Sequence, residues 1–190
     1  MSDRRVRRTK KVLKETFISL LQKKDIHRIT VKEISDIADV NRSTFYNYYT
    51  DVYDMLDKLE NEALELLEKL MKNYYTQNDR DLFSRACFTE LLSVIKENSS
   101  LFNLFFLDEN RVTFAVKLQN LIFTIPYDKV NYDKNVANYY VSSYIASGTT
   151  GMIQCWLKNE MSAPISDIAE IMNQLMENSY NTCLQFESRL

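Results

Sequence analysis

Glycine and proline are nearly missing, with two of each in 190 residues. Sheets draw on such residues at their turns, so the scarcity favours long helices on short connections and an all-α fold of about nine helices. Both glycines, Gly148 and Gly151, fall inside a helix-like stretch and follow no strand, and no glycine-rich phosphate loop occurs. A nucleotide or dinucleotide fold therefore has no support. Histidine occurs once, as His27, which reads as a surface residue. Without a Cys/His cluster or a compact carboxylate constellation, no enzyme activity, metal site or cofactor is expected.

Cys87, Cys155 and Cys183 are odd in number and far apart, matching neither a disulfide framework nor a zinc site. They read as buried small hydrophobes, with a redox-sensing thiol as the alternative. Long apolar runs are also missing. The richest, Leu101 to Leu107, is interrupted by Asn103 and followed by Asp108 and Glu109, far short of the roughly 20 residues needed to cross a bilayer. The opening residues, Met1-Ser2-Asp3-Arg4-Arg5, lack the apolar core of an export signal. A soluble, cytoplasmic protein with no membrane partner is expected.

What is present is unevenly spread. Residues 1–50 hold twelve Lys+Arg against six Asp+Glu, a balance of +6, whereas 51–190 hold twelve against twenty, a balance of −8. A polyanion-binding head on an acidic body fits that asymmetry, and so does a solvated basic tail. The same two readings apply to the leader Arg4, Arg5, Arg7, Arg8, Lys10 and Lys11, whose density suits a phosphate track or a frayed end. Behind it, Leu13, Phe17, Leu20 and Leu21 recur at helical spacing and predict a first helix over about 7–22.

Thr30-Val31-Lys32-Glu33 has the Ser/Thr-x-x-Glu form in which hydroxyl and carboxylate reciprocally satisfy free N–H groups at a helix start. A second helix follows, with Val31, Ile34, Ile37 and Ala38 as one apolar stripe, until Asp39-Val40-Asn41 interrupts it as a tight turn. Asn41 is the expected N-cap of a third helix running from Arg42 to Tyr49, with Phe45 and Tyr49 pointing inward. Arg42, Ser43, Thr44, Tyr46, Asn47 and Tyr48 are left on its outer face. All of them carry hydrogen-bonding groups, and two short helices joined by such a turn can seat the second in a major groove. Hydroxyls suit phosphate oxygens, while Arg42 can reach a guanine edge with two bonds.

The ordered run Ile29-Thr30-Val31-Lys32-Glu33-Ile34 and then Ala38-Asp39-Val40-Asn41-Arg42-Ser43-Thr44-Phe45-Tyr46-Asn47-Tyr48-Tyr49 closely resembles the DNA-binding domain of the TetR/AcrR family, over roughly residues 8–56. The resemblance implies a DNA-binding domain over 1–50 and a helical effector-binding and dimerisation domain over 51–190. It implies that Thr30 and Lys32 approach the DNA backbone, that Arg42 and Ser43 lie nearest the bases, and that Thr44, Tyr46, Asn47 and Tyr48 mainly clamp phosphates. Two positions depart from the family pattern. Asp39 stands where many relatives have Gly, a mild change because Asp tolerates left-handed backbone. Val52 stands where many have a phosphate-binding Lys, which implies compensation from the basic leader.

In the body, Asp51 can cap a long fourth helix carrying Met55, Leu56, Leu59, Ala63, Leu66, Leu67 and Leu70 up to about Tyr75. Gln77 to Asp81 reads as a turn. A fifth helix over 82–96 follows, with Phe83, Ala86, Cys87, Leu91, Val94 and Ile95 as core candidates, and Asn98-Ser99-Ser100 breaks it. Leu101–Leu107 and a helix over about 112–123 line either a packed core or a ligand cavity. After a break at Pro126 and Asp128, a helix over about 132–159 is apolar on several faces, including Tyr139, Tyr140, Tyr144, Ile153, Trp156 and Leu157, and should be buried on several sides. Ser147-Gly148-Thr149-Thr150-Gly151 within it would allow another helix to approach closely. The last helix, over about 163–187 with Pro164 in its first turn, carries the stripe Ile165, Ile168, Met172, Leu175, Ser179, Cys183 and Phe186.

By the family resemblance, these last two helices form a homodimer interface. The phrase Tyr144-Ile145-Ala146-Ser147-Gly148-Thr149-Thr150-Gly151 with Trp156-Leu157 also resembles the C-terminal domain of regulators of the dihydroxyacetone-kinase type. Together these imply a dimeric regulator, a repressor by expectation, on palindromic double-stranded operator DNA, tuned by a small-molecule effector. The alternative is an activator, or a helical adaptor working through a protein partner.

Overall fold

Leu13 and Phe17, four residues apart and followed by Leu20 and Leu21, are all buried and draw the first helix onto a core. In the computed structural model, which describes residues 2–77, 84–107, 113–124 and 136–187, this helix is α1 (Ser2–Leu21). Its helical backbone includes the basic leader. A 3-10 turn (Ile26–Arg28) leads to α2 (Val31–Ile37), α3 (Arg42–Tyr46) and α4 (Val52–Gln77). Then come α5 (Arg85–Glu97), α6 (Ser99–Leu107), α7 (Thr113–Thr124), α8 (Val136–Lys158) and α9 (Ile165–Glu187). The described residues thus form nine α-helices and no strand, the all-α architecture expected. No helix among them is long and apolar enough to cross a membrane.

Two units divide the chain, residues 1–63 and 64–190. The first gathers Leu13, Phe17, Ile29, Ile34, Phe45, Met55 and Leu59 into one core, all of them buried. In it α2 packs on both α1 and α3. In the second, α5 packs on α9, α8 on α6, α7 and α9, and α6 on α5 and α7.

The apolar stretch of α6 meets α7 as an aromatic cluster. Phe114 is fully buried, stacks on Phe105 at 4.9 Å and meets Phe106 edge-on at 5.1 Å and Phe102 at 6.1 Å. Rings this close pack on one another as part of the core of this unit. Asn98 and Ser99 do not separate the helices by a loop. Asn98 ends α5, and its carbonyl then accepts from the N–H groups of Leu101 and Phe102 (2.9 and 3.1 Å), so α6 starts at Ser99.

Several expectations need correction. Helix α5 is capped by Ser84, whose Oγ accepts from the Cys87 N–H at 3.2 Å, so it begins at Arg85 and Ala86 is exposed. Leu66 in α4 is also exposed, because its position turns away from the buried set Leu59, Ala63, Leu67 and Leu70. Helix α9 buries Ala169, Met172 and Met176, while Leu175 stays exposed. Of the expected stripe, Met172 thus lies on the buried face and Leu175 off it. Pro164 stands just before α9, its carbonyl accepting from the N–H groups of Asp167 and Ile168.

Cys155 is exposed, not buried, while Cys87 is buried. Burial, with the charge of Glu90 adding to it, pushes the Cys87 thiol up to about 12, which makes it inert. Helix α8 buries Ala146, Thr149, Thr150, Ile153, Trp156 and Leu157 on one side, yet Tyr140 and Tyr144 on the other are 68% and 64% exposed, and Tyr139, against Phe123 of α7, is 52% exposed. It is thus covered on fewer sides than its composition suggested. The α8–α9 connection is tied by Trp156, whose Nε1–H donates to the Ala163 carbonyl at 2.9 Å.

Leu82, Phe83, Val112, Pro126, Asp128, residues 132–135 and the 78–81 part of the expected turn lie outside the described residues. So do the side chains of Cys183 and Phe186.

Candidate nucleic-acid interface

Backbone capping sets the α2–α3 pair. Thr30 is extended, and its Oγ1 accepts from the Glu33 N–H at 3.2 Å. The reciprocal half of the expected box is absent: the Glu33 carboxylate instead takes two hydrogen bonds from Lys24 Nζ, at 2.7 and 2.6 Å, because a full ammonium is a stronger partner than an amide. Helix α2 is C-capped by Ala38, and Asp39 then turns the chain with φ 53, the left-handed conformation its side chain tolerates. Asn41 caps α3, its Oδ1 accepting from the Ser43 N–H at 3.0 Å.

Helix α3 is shorter than the sequence implied. It stops at Tyr46, and the chain tightens so that the Tyr48 and Tyr49 N–H groups both donate to the Phe45 carbonyl, at 2.9 and 3.0 Å. The tightening delivers Asp51 to the start of α4, where its carboxylate accepts from the N–H groups of Tyr53 and Asp54, each at 2.8 Å. Val52 is buried in the core of this unit, so no cation occupies that position.

Phe45 and Tyr49 point inward as expected, at 0% and 4% exposure, with ring centroids 5.3 Å apart. Burial, reinforced by Glu62 and Asp54, pushes the Tyr49 phenol up to about 12. With those anchors set, Arg42, Ser43, Tyr46 and Asn47 face solvent, as do Thr30 and Lys32 around the start of α2. Thr44 and Tyr48 are half-buried. Six of the eight candidates are thus exposed and the other two half-buried.

Three features of this surface escaped the sequence reading. Ile37, assigned to the apolar stripe of α2, is 60% exposed, because Ile34 and Ala38 already occupy the inward positions. Lys10 of α1 stands 5.3 Å over the Tyr48 ring. Lys58 of α4 reaches the Tyr48 carbonyl at 2.9 Å and Asp54 at 2.9 Å. The Asp54–Lys58 spacing of four was a visible signal; the reach to Tyr48 was not. His27 lies on the surface and its Nδ1 is 2.8 Å from the Tyr53 hydroxyl.

A capped pair of short helices joined by a left-handed turn, followed by a larger helical body, is the build of a helix-turn-helix regulator. Residues 83–178 match a family model, TetR_C_8, described as "Transcriptional regulator C-terminal region". The chain belongs to the TetR family of transcriptional regulators.

Solved structures with this fold include the dihydroxyacetone kinase operon activator DhaS. That pair shares 18% identity at a TM-score of 0.60, over 92% of this chain and 96% of that one. A TetR transcriptional regulator from Streptococcus agalactiae 2603V is 21% identical at a TM-score of 0.58, with the same coverages of 92% and 96%. The fatty acid degradation regulator FadR from Bacillus halodurans is 12% identical at a TM-score of 0.53, over 88% and 93%. At these identities the likeness is one of fold. No curated protein sequence matches the chain.

Proposed function

We propose that this protein is a cytoplasmic regulator, a repressor, that binds palindromic double-stranded operator DNA as a homodimer. Each subunit lays α3 in a major groove, with Arg42 and Ser43 toward the bases, Thr44, Tyr46, Asn47 and Tyr48 toward the phosphates, and Thr30 and Lys32 on the backbone beside α2. The observation that carries the reading is the outward polar face of α3, held in place by the buried Phe45 and Tyr49. Residues 1–50 act as the reader and 51–190 as the effector-binding and dimerisation body.

Dimerisation is assigned to α8 and α9. Tyr140, Tyr144, Gly148, Gly151 and Cys155 line one exposed face of α8, and Ile171 and Leu175 are exposed on α9. Space for a partner exists there, since a Cβ added at Gly148 or Gly151 would meet nothing within 4 Å. A small-molecule effector then acts by binding one head spacing more tightly than the other. An activator is the second reading, favoured by one observation: a solved structure of this fold is that of an operon activator.

Footprinting at physiological salt, with light scattering to count subunits, tests the proposal. A protected, palindrome-like pair of half-sites about one helical turn apart, roughly 34–36 Å, is expected from a dimer. A stable monomer, or no protected site on the DNA flanking its own gene or in a selected pool, would sink it.

A further inference from the structure

The first buried residue of α1 is Leu13. Ahead of it, Arg4, Arg5, Arg7, Arg8, Lys10 and Lys11 are all exposed on continuous helix. Folding accounts for only part of that composition: Lys11 lies 3.7 Å from the Glu15 carboxylate and Lys10 stands over the Tyr48 ring. Like charges at spacings of three and four repel, as in Arg4 with Arg8 and Arg7 with Lys11, and cations in the first turns of a helix oppose its dipole. These residues weaken the helix that displays them and cover no core. An external anion would offset both penalties.

Spacing and position say which anion. Arg4, Arg7, Arg8 and Lys11 follow i, i+3, i+4 and i+7, one stripe about 10 Å long. Lys10, one turn beyond Arg7, stands over the Tyr48 ring at 5.3 Å, which fixes the stripe beside the end of α3. Lys11 and Lys14 are already paired, with Glu15 and Glu62, so the charge offered to an outside partner is centred toward the N-terminal end, on Arg4 and Arg8.

We infer that the first three turns of α1 form a second, sequence-independent DNA contact, which carries the protein onto phosphates flanking the groove that α3 enters. This rests on the DNA-binding reading above and extends it to a new surface. Each cation set on a phosphate releases a counterion and steepens the salt dependence of binding without altering base preference.

The test uses the full-length protein, a labelled mixed-sequence duplex of about 40 bp to hold two half-sites, and vesicles containing phosphatidylserine. Wild type, Arg4→Gln/Arg8→Gln and Tyr46→Ala are titrated across a range of salt concentrations. The double variant removes four cations per dimer, so its log–log salt slope should be shallower by about 3 to 4. Its helix content should hold or rise, since like charges have been removed. An unchanged slope, with Tyr46→Ala still weakened, overturns this inference and leaves the α3 reading standing. A wild-type protein that binds no duplex takes both down. A loss seen on the acidic vesicles and not on the duplex would assign the stripe to a membrane surface and overturn it as well.

Discussion

The carbonyl of Tyr48 accepts a 2.9 Å hydrogen bond from Nζ of Lys58. This bond joins the residue just past the end of α3 to the second turn of α4, and the same ammonium also holds Asp54 at 2.9 Å. The contact is exposed, so its share of global stability is small. Its effect is on where Tyr48 stands. Replacing Lys58 by Met should weaken DNA binding several-fold on all sequences alike while Tm moves by less than about 3 °C. Binding by fluorescence anisotropy beside a melting curve checks this, and a large Tm drop with unchanged affinity would contradict it.

The cap of α3 can be separated from its charge. Asn41→Ala removes the acceptor for the Ser43 N–H and should cost about 1 kcal/mol of stability. Asn41→Asp caps equally well but places a carboxylate on the surface proposed to face DNA. Urea denaturation should therefore find Asp near wild type and Ala below it. In a duplex titration, Asp should be the weaker binder.

Arg42 and Tyr46 are assigned different jobs, and the assignment is measurable. Arg42→Ala should cost roughly 1–3 kcal/mol at one base position and relax preference there. Tyr46→Phe and Thr44→Ala should weaken binding to every sequence about equally. Affinities over a panel of single-base operator variants decide it, and a uniform loss for Arg42→Ala would move that residue to the phosphate class.

Ser35 on α2 is 1% exposed and its Oγ has no hydrogen-bond partner. A buried hydroxyl left unpaired is costly, and alanine is the better helix former. Ser35→Ala should raise stability by about 1 kcal/mol, read as a higher urea midpoint at unchanged slope. A lower midpoint would mean that the hydroxyl is satisfied in solution.

Stability should also decline at both ends of the pH scale. The hydrogen bond from Lys58, with that from the Thr50 N–H, holds the Asp54 carboxyl below its usual range. Its contribution is complete above the unfolded carboxylate pKa near 3.9, and is lost as pH falls through the lower folded value. Tyr49 behaves oppositely. Burial pushes it up to about 12 from 10.0, so its contribution is complete below 10 and drains away between those values as the unfolded phenol ionises first. Urea midpoints measured across pH should decline in both windows, and Tyr49→Phe should flatten the alkaline one.

Local chemistry was readable from the chain. Thr30 and Asn41 as caps, Asp39 in a left-handed turn, Phe45 and Tyr49 facing inward, and Asp51 starting α4 all depend on neighbours within four residues. Periodicity served less well where a helix has several neighbours. It counted Ile37 into the α2 stripe, although Ile34 and Ala38 fill the inward positions, and the α9 stripe it marked omits the buried Ala169 and Met176. The end of α3 was misread because what shortens it, delivery of Asp51 to the next helix, lies beyond the helix itself. Of the surface around Tyr48, Lys10 is nearly forty residues away in sequence, and no local pattern announces such a meeting.

Gly148 and Gly151 lie on exposed helix where an added Cβ would touch nothing. Each lowers the intrinsic stability of α8 by about 1 kcal/mol relative to alanine, and in the isolated subunit neither returns anything. A chain selected only to fold would hold alanine at both places. In the proposed homodimer, the partner resting against that face returns part of what the lone subunit loses there. Unfolding of such a protein should depend on how much of it is in solution.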